Sequence, residues 1–580
     1  MKPDMNTSLA IVLENNINRL GGKYKSSIIP NPYFIKQNSL YRKDLKKIEG
    51  EYKDVVSLVS RYAPIISKIF EHFERGEVHY EVTWSIEGRV YKEIVPAGTL
   101  ASKRELLKLA DKGFSVTDLN AKHLVEYFDL FLVQNRIERQ NMVDRIGKVK
   151  NEFIHPLLTN EFEIVPLDSG EQQLLESFKV MGTTEGWIKN VYNLVKEHPK
   201  VVFNVLASFG SSVLHEFNIK PFIIDTSGRT STGKSAVLRI AASVWASPEE
   251  YIGTFNITPV AVERRSAFLN SFVHILDDTN GSNDLKKIQQ MIYQFVNMTG
   301  KFRGSIAGSQ KTASWNSILL TSGENEILEY TTAAGVAGRV IPLTNFIFKD
   351  EDVNFLGNVY SSFRGDHGAI GIEFIKRWKE KRKIYIPMYK EYEELFLKMS
   401  EGNDVMQRLS RIYAYPVFIG AVLNDMFKEE GLVVDLNAQL GLFKEMKREN
   451  RAVDRPLQEL EKLLEEIDAN RDHLFDMVEP QHETYAFFHN GEFYFSAPFL
   501  KKRLGVNGKQ IRSSWMEKGI TYSLKDKNGF VDHKVINKNK KYYRGIMVNK
   551  DVIASFNFNF SESKYTLKEE FSSLNDEFSM

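Results

Sequence analysis

A multidomain α/β protein built around a parallel sheet is what this sequence predicts, on three observations. At 580 residues the chain is too long to fold round one hydrophobic core. Between residues 220 and 345, short apolar runs alternate with amphipathic stretches, the pattern of parallel strands joined by crossover helices. One of those runs passes directly into Gly228-Arg-Thr-Ser-Thr-Gly233-Lys234-Ser235, a glycine-rich turn at the start of a helix.

The elements follow in order. Residues 1–165 mix a strand-like run, Glu77 to Tyr91, with helical stretches at Ala101 to Lys112 and Ala121 to Asn135, and read as an α+β domain. Residues 166–219 form a helical lead-in, with Thr183-Thr184-Glu185 capping a helix whose apolar face begins at Trp187. In the core, 220–345, strands are expected at Pro221 to Asp225, Phe272 to Leu276, Ser317 to Leu320 and Arg339 to Leu343. Residues 346–475 read as a helical lid that ends in the amphipathic run Pro456 to Phe475. In 476–560, Ser496 is positioned to cap a helix to Leu504, stopped by Gly505. A second helix spans Gly508 to Lys518, and a hairpin turns at Lys527-Asn528-Gly529, together a winged-helix pattern. The last segment, 561–580, reads as a flexible tail.

Composition narrows the chemistry. With no cysteine there are no disulfides, zinc-thiolate sites, iron-sulfur clusters or thiol nucleophiles, and the 12 histidines show no paired helical spacing that would suit a transition metal. A net charge of +2 is nearly neutral, so any contact with nucleic acid must come from local basic patches. No run approaches the roughly 18 apolar residues of a membrane span, and Met1 to Thr7 lacks the character of a signal peptide, which points to a cytoplasmic protein with no membrane partner.

The turn at Gly228 has the spacing Gly-x-x-x-x-Gly-Lys-Ser between an apolar strand and a helix, which is the P-loop. Backbone amides of Gly228, Thr230, Ser231, Thr232 and Gly233 can approach phosphate oxygens, Lys234 reaches the β and γ phosphates, and Ser235 ligates Mg2+ beside bound ATP. Phe272-Val-His-Ile-Leu276-Asp277-Asp278 is an apolar strand ending in two acids, so Asp277 is placed to share the metal with Ser235 and Asp278 to polarise the attacking water. Downstream, Thr321-Ser322-Gly323-Glu324 either ends a strand or senses the γ-phosphate. Arg339 is either a capping residue or a residue that acts on a neighbouring subunit.

These segments, with the continuation Ala-Ser-Val-Trp245 of the first helix and with Gly338-Arg339, resemble the family of the domain of unknown function nine-two-seven. They look most like the MCM-like, self-loading helicases of staphylococcal cassette chromosome elements. The resemblance covers roughly residues 95–425, with Thr183 to Trp187 and Gly365-Asp-His-Gly368 as weaker matching points. It implies a hexameric AAA+ ATPase that encircles DNA, with Lys234, Ser235, Asp277 and Asp278 as the cis site, Ser322 as sensor and Arg339 as the finger reaching the neighbour's nucleotide. The sequence departs from the AAA+ pattern at Asp278, where glutamate is usual. The lid sensor is expected at Arg408 or Arg411.

Lys301, Arg303 and Lys311 lie in a glycine-punctuated basic stretch before the sensor strand, where the resemblance to MCM-like helicases implies a hairpin that contacts DNA in the channel, the alternative being a solvated loop. Lys509 and Arg512 lie off the Ile511–Trp515 face of the second C-terminal helix, where a winged helix would touch DNA or a protein. The resulting reading is an ATP-driven helicase on single-stranded or forked DNA, replicative and carried by a mobile element or phage. Its rivals are a nucleotide-timed assembly or signalling switch and an origin-binding initiator.

Overall fold

The computed structural model describes residues 27–158, 161–228, 233–279, 285–298, 304–305, 308–309, 313–330, 338–344, 347–348, 353–400, 404–448, 455–475, 483–505, 508–526, 529–531, 533–538 and 541–560. The expected tail, 561–580, lies outside them. The chain divides into two compact units, one of Met1–Lys398 with Leu409–Leu440, the other of Met399–Arg408 with Gly441–Met580.

The first unit opens with more sheet than the sequence suggests. Strands Tyr33–Lys36, Ser39–Ile48 and Glu51–Ser60 form an antiparallel sheet. A mixed five-stranded sheet follows, in the order Phe162–Ile164, Glu138–Val143, Ile65–His72, Val78–Ile86 and Arg89–Pro96. The run expected as one strand over Glu77 to Tyr91 is a hairpin, because Glu87 and Gly88 both adopt positive φ (49° and 82°), the backbone of a two-residue type I′ turn. The helix expected at Ala101 to Lys112 is likewise divided, since Ser102 is extended and its hydroxyl caps a new turn at the Glu105 amide before a 3-10 segment Leu107–Lys112. Helix Ala121–Gln134 buries Leu124, Tyr127, Phe128 and Phe131 in the core that these sheets share.

At the centre of this unit is a five-stranded sheet of β1 (Phe222–Ser227), β2 (Gly253–Thr254), β3 (His274–Asp277), β4 (Ile318–Gly323) and β5 (Val340–Leu343). Its order is β2-β3-β4-β1-β5, and every neighbouring pair is parallel. All six residues of β1 and of β4 are buried, as strands covered on both faces require. The crossover helices include α1 (Lys234–Ser243), α2 (Pro259–Leu269) and α3 (Leu285–Val296), and helix α4 (Val353–Gly365) follows β5.

The lead-in is part of this body. Helix Pro199–Ser211 is almost wholly buried, its Phe209 edge-on to Phe374 and its Gly210 carbonyl accepting from the Tyr415 hydroxyl at 2.7 Å. The two weaker matching segments meet here as well. Met181 and His367 exchange backbone hydrogen bonds of 3.0 and 2.9 Å, and Asn190 donates to the Asp366 carboxylate at 2.8 Å. Asp366 closes so tightly on Gly186 that a Cβ there would come within 2.3 Å of its Oδ1. The Trp187 indole and the Gly368 amide both bond to Ser243, which fixes the far end of α1.

In the second unit the sheet order is Leu474–Phe475, Ala486–His489, Glu492–Ser496, Lys541–Met547, Lys534–Lys538. Helices Ala497–Leu504 and Gly508–Glu517 pack on it, and a separate hairpin pairs Leu524–Asp526 with Gly529–Val531. Two expectations change. Helix Arg455–Ala469, assigned from sequence to a lid ending at 475, buries Leu460, Leu463, Leu464 and Ile467 in the core with Phe488 and Trp515, and the Trp515 indole donates to the Pro456 carbonyl at 2.6 Å. Ser496 holds the N-cap position without a side-chain capping bond, and the turn is started instead by Pro498 just inside the helix.

Candidate functional site

β1 runs out at Ser227, and its neighbour Gly228 bonds through its amide to the Gly323 carbonyl at the end of β4, 3.1 Å away. Thr230, Ser231 and Thr232 lie outside the described residues. Gly233 re-enters at φ +83° as the N-cap of α1, and a Cβ there would stand 2.5 Å from the Phe348 ring, so this position requires glycine on two counts. From the first turn of α1, Lys234 Nζ donates back across the loop to the Gly228 carbonyl at 2.9 Å.

The next residue turns to β3. Ser235 Oγ donates to Asp277 Oδ1 at 3.1 Å, and the Ser322 hydroxyl donates to the same oxygen. The register explains the meeting, because Leu276 pairs with Thr321 and so brings Asp277 and Ser322 side by side where the strands end. Asp278 follows at φ +60°, exposed, with its amide donating to Ser322 Oγ at 3.2 Å. Lys234, Ser235, Asp277, Asp278 and Ser322 are thus brought together at the C-terminal edge of the parallel sheet, the edge at which open α/β sheets bind ligands.

Ser235 and Asp277 offer hard oxygen donors. Adjacent ligands of an octahedral Mg2+ at about 2.1 Å stand roughly 3.0 Å apart, close to the spacing of these two oxygens, so the pair fits that ion. Among the described residues no cluster of three or more His, Asp or Glu side chains is placed to hold another metal.

Arg339 is held elsewhere. Its carbonyl accepts from the Ile223 amide at the start of β1, and its guanidinium donates to the Val296 carbonyl at 2.6 Å and to Asn297 Oδ1 at 3.3 Å, beyond the last turn of α3. β1 has six residues, so Arg339 is about 20 Å from its own phosphate loop, at the opposite edge of the sheet. Arg411 pairs with Glu393 at 2.9 Å, and Arg408 is exposed on the same helix, Asp404–Met426. Lys301, Arg303 and Lys311 lie outside the described residues. On the second C-terminal helix, Ile511 and Trp515 are buried, Lys509 is exposed and Arg512 is half-buried.

Two groups at the site are absent from the motif reading. Arg239, one turn beyond Ser235 on α1, reaches Asp277 Oδ2 at 3.5 Å, and only its spacing of four from Ser235 hints at this. Asp225, buried in the middle of β1, accepts from the Thr321 hydroxyl at 2.7 Å and the Ile327 amide at 2.8 Å, and so ties β1, β4 and the turn after β4 together.

The family described as Domain of unknown function (DUF927) matches residues 33–315, a stretch that begins earlier than the 95 expected and ends before the 425 expected, so that it includes the N-terminal sheets, the phosphate loop and Asp277 but not Ser322, Arg339 or Gly365 to Gly368. No curated protein matches significantly. Among solved structures, one titled "SCCmec type IV Cch - active helicase" aligns with 91% of this chain and 99% of its own at 16% identity with a TM-score of 0.66, which establishes a shared fold. The C terminal region of NrS-1, in an apo form, aligns with 83% of this chain and 96% of its own at 11% identity, but its TM-score of 0.26 is too low to bear on the fold. Among the described residues no helix is long and apolar enough to cross a membrane.

Proposed function

Residues 33–315 match the family of the Domain of unknown function (DUF927), and from that match and the contacts of Lys234, Ser235 and Asp277 we propose that the chain is an ATP-driven DNA helicase. The observation that carries the reading is the meeting of Lys234, Ser235, Asp277 and Ser322 at the C-terminal edge of an all-parallel sheet. We read the molecule as a hexamer of the AAA+ class, replicative and carried by a mobile element or phage, working in the cytoplasm on single-stranded or forked DNA. In this reading a winged helix ends the chain.

Each residue then has a task. Lys234 leaves the Gly228 carbonyl for the β and γ phosphates of ATP, and Ser235 and Asp277 hold Mg2+. Mg2+ bound there would supply neutralisation of the charge on the transferring phosphoryl group. Asp278 orients and polarises the attacking water from its exposed turn, and Ser322 keeps Asp277 aimed while facing the γ-phosphate. Arg339, remote from its own loop, serves the nucleotide of the adjacent subunit. Lys301, Arg303 and Lys311 contact DNA phosphates in the channel, and Lys509 and Arg512 contact DNA at the C-terminal helix.

ATPase turnover with and without single-stranded DNA, followed by strand displacement on a fork, tests the reading. DNA-stimulated turnover with displaced strand is expected, with an affinity falling by about 0.7 log units per log unit of salt for each phosphate neutralised. Turnover without displacement would favour the rival assembly switch, to which the short and exposed Asp278 is suited. A defined footprint on one duplex sequence would favour an initiator.

A further inference from the structure

Arg239 stands between the metal-holding carboxylate and a second, outward-facing charge cluster. Its NH1 donates to the Ser235 carbonyl at 3.1 Å and lies 3.5 Å from Asp277 Oδ2, while its Nε is 3.3 Å from Glu249 Oε2. Glu249 gives its other oxygen to Arg364 of α4 at 3.3 Å. The Tyr360 ring, also on α4, faces both guanidinium carbons, at 5.8 Å from Arg239 and 6.0 Å from Arg364. Arg239 is therefore shared by two carboxylates, one inside the site and one at its rim, with side-chain exposures of 15% for Asp277 and 42% for Glu249.

The sharing has an electrostatic consequence. The guanidinium lies against Asp277 Oδ2, the oxygen that the Ser235 and Ser322 hydroxyls do not bond. A divalent cation bound to Asp277 would face this fixed positive charge at close range in a half-buried site, where like charges repel more strongly than in open water. Glu249 and the Tyr360 face offer the arginine a second resting place that it already half occupies.

Resting on the nucleotide-site reading above, we infer that Arg239 is a positioning residue that occupies Asp277 until Mg2+ displaces it toward Glu249 and Tyr360. Metal occupancy is thereby reported to α4. The chemistry recognised is that of a hydrated divalent cation arriving with a nucleoside triphosphate.

The test measures binding of a fluorescent ATP analogue to the full-length protein as Mg2+ is titrated, and again in EDTA. Arg239→Gln is expected to lower the half-saturating Mg2+ concentration by about fivefold or more, with affinity in EDTA changed less than about twofold, and Arg239→Lys, which keeps the charge but not the fork that spans Asp277 and Glu249, is expected to fall between Arg239→Gln and wild type. Glu249→Gln, which removes the second resting place, is expected to raise it. Hydrogen exchange over Val353–Gly365 is expected to change on Mg2+ addition in the wild type and not in Arg239→Gln. Shifts of opposite sign from two neighbouring neutral substitutions would not arise from general loosening of the fold. An unshifted or raised Mg2+ requirement in Arg239→Gln, alongside normal Mg2+-dependent binding by the wild type, overturns the inference and leaves the nucleotide site standing. A wild-type protein that binds no nucleotide in an Mg2+-dependent way overturns both.

Discussion

Ser322 and Asp277, 45 residues apart in the chain, are joined by a hydrogen bond from the serine hydroxyl to the carboxylate, and the same hydroxyl accepts from the Asp278 amide. One side chain on β4 thus holds both acids at the end of β3. Ser322→Ala removes a donor from Asp277 and an acceptor from the Asp278 turn. Turnover is expected to fall on the order of 10²-fold, with ATP affinity changed far less, as a comparison of single-turnover rates with equilibrium titration will register.

In the proposed mechanism the two acids have separable tasks. Asp277→Asn should weaken Mg2+-dependent ATP binding itself, since a neutral amide is a poor ligand for a hard cation. Asp278→Asn should bind ATP normally and turn over slowly. Lys234→Ala should lose most binding or hydrolysis, because backbone amides alone only partly balance the β and γ phosphate charge. Calorimetric titration beside a phosphate-release assay separates these outcomes, and equal binding defects in the two aspartate variants would erase the distinction.

Arg339 gives the sharpest test of assembly. It is held by the α3 terminus about 20 Å from its own loop, and the proposed reading gives it the nucleotide of another copy. Arg339→Ala is expected to bind ATP normally and hydrolyse it roughly 10³ to 10⁵ times more slowly. Mixed with Lys234→Ala, it should recover partial activity that grows with protein concentration, as mixed rings form. Mixed rings that stay inactive would remove the trans role.

Glu171 is buried at the start of helix Ser169–Glu176, and burial pushes its carboxyl up to about 7, the Leu167 amide only partly offsetting this and the charge on Asp168 adding to it. The folded state therefore holds this proton more tightly than the unfolded chain, whose carboxyl titrates near 4.5. The contribution to stability is complete below pH 4.5 and is lost as pH rises to 7. Glu171→Gln, which keeps an acceptor for Leu167, should be more stable than wild type by about 1–3 kcal/mol at pH 8 and no different at pH 4, as thermal melts at the two values will show.

How much of this was legible in the sequence depended on the range of the forces involved. All four core strands expected from apolar runs are present within a few residues, since a fully buried strand is written in consecutive apolar side chains. Their order is not written there, because β1 takes partners from residues 318–323 and 340–343. The hairpin at Glu87-Gly88 was missed because glutamate gives no sign of positive φ. Helix Arg455–Ala469 showed its apolar stripe, but not that the stripe would meet Phe488 and Trp515. At the site, the meeting of Ser235 with Asp277 was readable because the Gly-x-x-x-x-Gly-Lys-Ser spacing and a strand ending in two acids are the pattern of one site. Arg239 was not, because an arginine in a helix declares its partner only once β3 is beside it.

The strand order also bears on synthesis. The phosphate-binding motif is complete once Ser235 has been added, but β4 and β5, the strands on either side of β1, extend to Leu343. Roughly a hundred residues, on the order of 10 s of translation, separate the two events. Until β4 is complete at Gly323 both hydrogen-bonding edges of β1 are unpaired and its six side chains destined for burial are exposed, and the edge that β5 will take stays open to Leu343. The nascent chain is thus most prone to self-association just after its most recognisable motif has left the ribosome, and slower translation between Ser235 and Leu343 should lower the soluble yield.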